Sequence, residues 1–277
     1  MKVLILGAKG SLGQVFADLY KSSEVSAWDR DELDITDEGA VVKKIAELAP
    51  NLVINCAAYN AVDKAEEDRL TADQINGYAV GFVARAASKA GAIMVHFSTN
   101  YVFAGDNQEG YNEDAQSRPQ SAYAKSKFLG EIELSENTEK FYLIRTSWLY
   151  GKESITGKSS FVEVMLKLAT NGKEITAIND EFASPTYVVD LAQATRALIE
   201  QKKPFGIYHL TNSGSTSWYE WAKEIFELKK MNTNLVAISR VDYPRQAVRP
   251  QYGVLNNTKF IELRPWTEAL KEYLQAG

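Results

Sequence analysis

The start of the chain most limits what it can fold into. The apolar stretch Val3-Leu4-Ile5-Leu6 runs straight into Gly7-Ala8-Lys9-Gly10-Ser11-Leu12-Gly13, and Val15 to Tyr20 can continue as a helix. A strand, a glycine-rich turn and a helix in that order open a βαβ unit. Glycines there permit a tight turn, close approach of the backbone to a phosphate and tight helix packing. The helix N-terminus offers oriented N–H groups to an anion. The spacing is GxxGxxG, a variant of the dinucleotide fingerprint, so Gly7, Gly10, Ser11, Leu12 and Gly13 are candidates to cradle a pyrophosphate; a tight turn without a ligand is the plain alternative.

Short β-rich apolar runs recur at Leu52–Asn55, Ala92–Ser98 and Phe141–Thr146, separated by segments long enough for a helix. Their apolar residues are continuous rather than alternating, which implies strands covered on both faces and hence a parallel sheet between helical layers. Val41, Ile45 and Leu48 before Pro50, and Ala79, Phe82, Val83, Ala86 and Ala87 before Gly91, have amphipathic helical spacing. The fold predicted is a doubly wound parallel α/β sheet, Rossmann-like, with a smaller C-terminal lobe. Residues 1–150 are expected to form the dinucleotide-binding domain, with 185–212 returning to it, and 151–184 with 213–277 to form the substrate-binding lobe. Phe161–Leu168, Val188–Ile199 and Trp218–Leu228 read as helices, and Glu174–Ile178 and Gly206–Leu210 as strands.

Composition narrows the function classes. The 31 Lys and Arg against 36 Asp and Glu give a net charge of −5, which carries no electrostatic footprint for nucleic acid or an anionic membrane surface. No apolar run approaches the ~18 residues of a membrane span, and the first glycine comes too early for a signal-peptide core. The lone Cys56 forbids an intrachain disulfide and, with only His96 and His209, leaves too few soft ligands for an ordinary zinc site. A cytoplasmic protein with no metal, no nucleic-acid partner and no membrane partner is expected.

The strand Glu24–Trp28 ends at Asp29, whose carboxylate could bond an adenosine ribose and favour NADH. Arg30 follows and could instead meet the 2′-phosphate of NADPH. Tyr123 and Lys127 stand at i and i+4, on one face of a helix expected after Pro119. A phenol is a poor acid near neutrality because its reference pKa is about 10, but a nearby cation lowers it by ~1–3 units. Thr99 sits at the end of the Ala92–Ser98 strand, where ligands gather in open parallel sheets.

A glycine-rich first turn, a strand-end hydroxyl and a downstream YxxxK in this order resemble the extended short-chain dehydrogenase/reductase family. Further stretches are similar to its dTDP-4-dehydrorhamnose reductase branch and together span nearly the whole chain. They are Leu33–Asp37, Asn55–Glu66, Arg145–Gly151, Ser184–Tyr187 with Asp190–Ala192, Gly206–Asn212 and Ala247–Pro250. The resemblance implies NADPH- or NADH-dependent reduction of the C4 ketone of a nucleotide sugar, dTDP-4-dehydro-β-L-rhamnose, with Thr99, Tyr123 and Lys127 as the catalytic set. Tyr123 would protonate the nascent alkoxide, Lys127 would hold the nicotinamide ribose and lower the Tyr123 pKa, and Thr99 would bond the carbonyl oxygen. Asp34, Ile35, Ala57, Ala58 and Tyr59 would join Asp29 and Arg30 around the cofactor. Asn100, Tyr101 and Trp148 would contact the substrate, and Arg249 its diphosphate. A homodimer is compatible with the resemblance.

His96 and His209 lie in buried-looking strands and read as structural, Cys56 has no flanking residues that would make it a nucleophile, and Trp218, Trp221, Ala222, Ile225 and Phe226 form a helical packing stripe. Three positions depart from the family pattern: Asn100 replaces its usual Asp, Ala104 precedes the glycine of its YVFDG-like motif, and Gly253 stands where Ser is usual. Asn100 leaves two alternatives open. One is a reductase or epimerase of another nucleotide sugar; the other is a non-catalytic regulatory subunit resembling the beta subunit of methionine adenosyltransferase.

Overall fold

The computed structural model describes residues 1–155, 157 and 159–276. Thr156, Lys158 and Gly277 fall in the two segments expected to form the lobe and lie outside the described residues. Six parallel strands form the central sheet: β1 (Lys2–Leu6), β2 (Glu24–Trp28), β3 (Leu52–Asn55), β4 (Ile93–Thr99), β5 (Phe141–Thr146) and the strand Gly206–His209. Their order is Gly206–His209, β5, β4, β3, β1, β2, so the winding reverses beside β1. This is the doubly wound α/β architecture expected from the sequence. The fourth strand runs one residue further than Ala92–Ser98, which makes Thr99 its last residue.

The continuous apolar strands are buried on both faces for the reason anticipated. Val3 and Ile5 of β1 join a core with Phe16, Val188 and Leu191, while Leu4 and Leu6 join the opposite core with Val41, Ile45 and Val83. Each such side chain, fully buried, contributes about 1.5–3 kcal/mol. Helix α1 (Ser11–Leu19) packs with helix Val188–Glu200 on one face. Helix α2 (Glu38–Leu48) packs with Ala79–Lys89 on the other. Asp37 caps α2 by accepting from the Ala40 N–H, and Ala49 ends it in the left-handed region just before Pro50.

The sequence reading did not anticipate the stretch before Ala79, where Arg69–Asp73 passes into a π-helical turn, Gln74–Tyr78. Gly130 of the helix Ala122–Asn137 packs on this turn so closely that a Cβ would lie 2.0 Å from the Asn76 carbonyl oxygen.

A third apolar cluster gathers Tyr150, Val162, Met165, Ile175, Tyr187, Trp221, Ile225, Phe226 and Leu270. Its two-stranded parallel ladder joins Ile175–Ile178 to Leu235–Ile238. Most of the expected packing stripe is buried here, Trp221, Ala222 and Ile225 completely. The C-terminal segment also reaches back to the main sheet: Leu263 lies in the first core, and Leu255 bridges to Tyr111. Among the described residues no helix is long and apolar enough to cross a membrane.

Candidate functional site

A cavity of about 700 Å³ opens at the carboxyl ends of β1, β3 and β4. Its wall includes Gly7, Gly10, Ser11, Leu12, Gly13, Asp29, Arg30, Asp34, Ile35, Ala57, Ala58, Thr99, Asn100, Tyr101, Tyr123, Lys127 and Trp148. Two expected site residues, Tyr59 and Arg249, are not part of that wall.

The three glycines do different work. Gly7 has φ +74°, and a Cβ there would lie 2.6 Å from the Ala57 nitrogen; at Gly13 a Cβ would lie 2.3 Å from the Gly7 carbonyl oxygen. Gly10 caps α1 with no side chain to accept from the first-turn N–H groups. Those donors and the positive end of the helix dipole therefore face the cavity. Ser11 Oγ is buried with no hydrogen-bond partner, which leaves one more polar group for a ligand to satisfy. These features fit the pyrophosphate of a dinucleotide. Gly13→Ala should destabilise the fold by ~1–3 kcal/mol through overpacking and abolish dinucleotide binding. Gly10→Ala, where the Cβ would be 3.3 Å from Gly7 O, should be milder. Thermal unfolding and fluorescence titration would check this, and Gly13→Ala binding at full affinity would contradict it.

At the end of β2, Asp29 Oδ2 accepts from the Lys9 N–H at 3.0 Å and Oδ1 from the Arg30 N–H at 2.9 Å, tying the strand to the glycine turn. The Arg30 side chain is 81% exposed and pairs with Asp34 at 3.2 Å. Bonds from the Thr36 hydroxyl and N–H hold the Asp34 carboxyl below the usual carboxylate range.

Tyr123 and Lys127 lie one turn apart on Ala122–Asn137, a helix capped by Ser121, whose side chain accepts from the Ala124 N–H. Both are buried yet reach the cavity. Burial pushes the Tyr123 phenol well up, and a hydrogen bond with Thr99 opposes that rise. Lys127 Nζ donates to the Phe97 carbonyl at 2.6 Å and lies 3.4 Å from His96 Nε2. Burial pushes its ammonium down to about 8. The expectation that Lys127 lowers the Tyr123 pKa is therefore not met in this arrangement: the lysine nitrogen is turned to the Phe97 carbonyl, and desolvation governs the phenol. Thr99 Oγ1 accepts from the Tyr101 N–H at 3.2 Å, and the Tyr101 ring meets Tyr123 edge-on at 5.8 Å.

Trp148 has φ +45°, an uncommon conformation for a bulky residue. Its indole stacks on Trp218 at 3.6 Å and lines the cavity. Trp218 thus departs from the rest of its stripe, supporting a cavity wall rather than only filling a core. Sequence reasoning also missed Ser147, Lys152, Ser160 and Glu163. Of these, Ser160 and Glu163 carried a legible signal, since they form a capping box at the start of Phe161–Ala169.

Tyr59 instead docks on Asn76, which accepts from its N–H at 2.8 Å and donates to its carbonyl at 2.9 Å. Arg249 is held by Asp63 in a two-pronged pair, with Nη1 at 3.0 Å and Nη2 at 2.6 Å. The guanidinium holds the Asp63 carboxyl below its ordinary range. His96 and His209 are both completely buried, and burial pushes the Cys56 thiol up, away from nucleophilic use. Among the described residues, no group of three or more His, Cys, Asp or Glu is placed to hold a metal ion.

Two of the three departures from the family pattern meet in space. Asn100 Nδ2 donates to the Gly253 carbonyl at 2.8 Å, and a Cβ on residue 253 would lie 2.3 Å from that nitrogen. Asn100→Asp would set a carboxylate against the carbonyl, and Gly253→Ser would press on the amide. Each single change should cost ~1–3 kcal/mol. The double variant should cost less than their sum by ~0.5–3 kcal/mol, because a serine hydroxyl can donate to a carboxylate. Strict additivity in urea unfolding would contradict the coupling.

The model of the RmlD substrate binding domain family matches residues 1–277. The chain belongs to that family. Spore coat polysaccharide biosynthesis protein SpsK of Bacillus subtilis (strain 168) is 40% identical over 99% of this chain and 97% of its own length. Among solved structures, a dTDP-4-dehydrorhamnose reductase from Clostridium acetobutylicum is 40% identical, with a TM-score of 0.95 over 100% of this chain and 99% of that one. The Bacillus anthracis dTDP-4-dehydrorhamnose reductase in complex with NADP is 36% identical, again with a TM-score of 0.95 and the same coverage. These RmlD-family relatives share the chain from end to end, so the fold around the cavity is theirs as well.

Proposed function

We propose that this chain reduces the C4 ketone of dTDP-4-dehydro-β-L-rhamnose to dTDP-β-L-rhamnose, with NADPH or NADH as reductant, in the last step of dTDP-L-rhamnose synthesis. The observation that carries the reading is the continuity of one cavity from the glycine cradle to the Thr99, Tyr123 and Lys127 side chains. The substrate comes from the RmlD family, and from similar solved structures such as the Bacillus anthracis dTDP-4-dehydrorhamnose reductase in complex with NADP.

The bound nicotinamide supplies a hydride; everything else falls to the chain's own residues. Gly7 and Gly13 let the backbone close on the pyrophosphate, and the open end of α1 stabilises its charge. Asp29 and Arg30 stand at the adenosine ribose. Arg30 is free to swing from Asp34 toward a 2′-phosphate, whereas Asp29 is spent on Lys9 and its own turn. Asp34, Ile35, Ala57 and Ala58 wall the cofactor, and Lys127 holds the nicotinamide ribose.

At the ketone, Thr99 and Tyr123 place hydroxyl donors where negative charge develops, and Tyr123 Oη gives its proton to the oxygen as the C4–H bond forms. Burial keeps that phenol protonated at neutral pH, which is the form a donor needs. Trp148, braced by Trp218, packs on the sugar, and Tyr101 and Asn100 complete the wall. Arg249 meets the diphosphate after exchanging its Asp63 partner for a phosphate. To residues 151–184 and 213–277 we assign the role of substrate lobe, and to 1–150 with 185–212 that of cofactor domain.

The test is consumption of NADPH, and separately NADH, on adding dTDP-4-dehydro-L-rhamnose generated in situ. Turnover to dTDP-L-rhamnose is expected. Cofactor binding without turnover on this sugar would move the reading to another nucleotide sugar or to a regulatory subunit.

A further inference from the structure

The protonation of the site's lysine can be traced through a chain of hydrogen bonds that begins at a backbone amide. Asn55 Oδ1 accepts from the Ala57 N–H at 3.1 Å, which fixes which way the side-chain amide points. A flipped amide would set two donors face to face. Asn55 Nδ2 therefore faces His96 Nδ1, at 3.3 Å, and donates to it. The His96 imidazole is completely buried, and that burial keeps it neutral. A neutral imidazole that accepts at Nδ1 carries its proton on Nε2. That N–H points at Lys127 Nζ, 3.4 Å away. An ammonium offers only N–H groups to meet it; a neutral amine offers a lone pair.

We propose that Asn55 and His96 form a relay that presents the His96 Nε2–H to Lys127, which favours the neutral amine of Lys127 over its ammonium in the open site while Nζ donates to the Phe97 carbonyl. His96 is then a positioning residue for Lys127, not a base or a ligand. The other titratable groups acting on the amine are Cys56 from the loop after β3 and Glu131 from its own helix. Glu131 is already engaged by Arg145 of β5. Its carboxylate favours the ammonium, but the pair with Arg145 offsets much of that pull, and desolvation favours the amine.

A consequence follows for ligand binding that rests on the function proposed above. If Lys127 holds the nicotinamide ribose as an ammonium, the amine must take a proton from solvent when the cofactor binds. Binding above the resting pKa of the lysine is then coupled to proton uptake.

The relay itself is testable without cofactor. Long-range ¹H–¹⁵N spectra of protein carrying ¹⁵N-histidine, with its two histidines, should show His96 as the Nε2–H tautomer. Competitive acetylation across pH, read by peptide mass spectrometry, should give Lys127 a midpoint near 8. In His96→Met that midpoint should rise by about one pH unit, the worth of one lost neutral hydrogen bond. An Nδ1–H tautomer, or an unchanged midpoint in a folded His96→Met protein, overturns the proposal. If that variant does not fold, the wild-type spectrum still decides. Calorimetry of NADPH binding at pH above the Lys127 midpoint, in two buffers of different ionisation enthalpy, should show proton uptake. Its absence beside an Nε2–H tautomer would count against the lysine–ribose contact and leave the relay standing.

Discussion

Tyr123→Phe should lower kcat by ~10²–10⁴-fold and leave cofactor binding unchanged. The phenyl ring keeps the volume and the edge-on contact with Tyr101, so the fold has no reason to respond; only the proton donor and one stabilising dipole are lost. The pH dependence separates the two candidate titrating groups. Burial raises the phenol, so its proton is retained through neutral pH and released only above the ordinary tyrosine range. Lys127 titrates lower, at about 8. On kcat/KM, which reports the free enzyme, the first alkaline decline should therefore start near that value. A decline beginning only in the tyrosine range would assign the limb to Tyr123 instead. Residual turnover near the wild-type rate in Tyr123→Phe would remove the phenol from the mechanism.

The second large effect is on stability. Glu131→Ala should cost ~3–5 kcal/mol, the usual range when one partner of a buried ion pair is removed. Both side chains are 4% exposed, with Arg145 Nη2 at 2.6 Å and Nε at 3.0 Å from the carboxylate. Ser98 Oγ donates to the same carboxylate at 2.5 Å, and the guanidinium lies over the Phe103 ring at 5.0 Å. Removing the carboxylate strands a buried cation beneath the site and loosens Ala122–Asn137 from β4 and β5, one turn beyond Lys127. Glu131→Gln, which keeps an acceptor, should cost less. Chemical unfolding followed by circular dichroism would measure both, and a loss under about 1 kcal/mol, the value of an exposed pair, would contradict this role.

What the sequence made legible was what depends on neighbours along the chain. Continuous apolar runs told that β1, β3 and β4 are covered on both faces, because side chains alternate with a period of two whatever else the chain does. The glycine turn, the strand-end Thr99 and the i, i+4 spacing of Tyr123 and Lys127 were readable for the same reason, and one cavity unites them.

Partnerships set by how elements come together were not readable. Asp63 and Arg249 are 186 residues apart, and Asn100 and Gly253 are 153 apart. Neither pairing leaves a local trace, so Arg249 could be expected to face a diphosphate but not to be held already by a carboxylate. Asn100, which motivated the regulatory-subunit alternative as a lost charge, has a structural counterpart in a glycine that leaves room for its amide. His96 looked like a core histidine and is one. Its link to Lys127 emerges only when Asn55, on the neighbouring strand, fixes its tautomer.

The most direct measurement of the central claim uses NADPH carrying deuterium at the transferable C4 position, with dTDP-4-dehydro-L-rhamnose and the unmodified protein. The account predicts dTDP-L-rhamnose with deuterium at sugar C4 and a solvent-exchangeable proton on the C4 oxygen, read by NMR and mass spectrometry. Oxidised cofactor without label in the sugar, or label at another carbon, would contradict it.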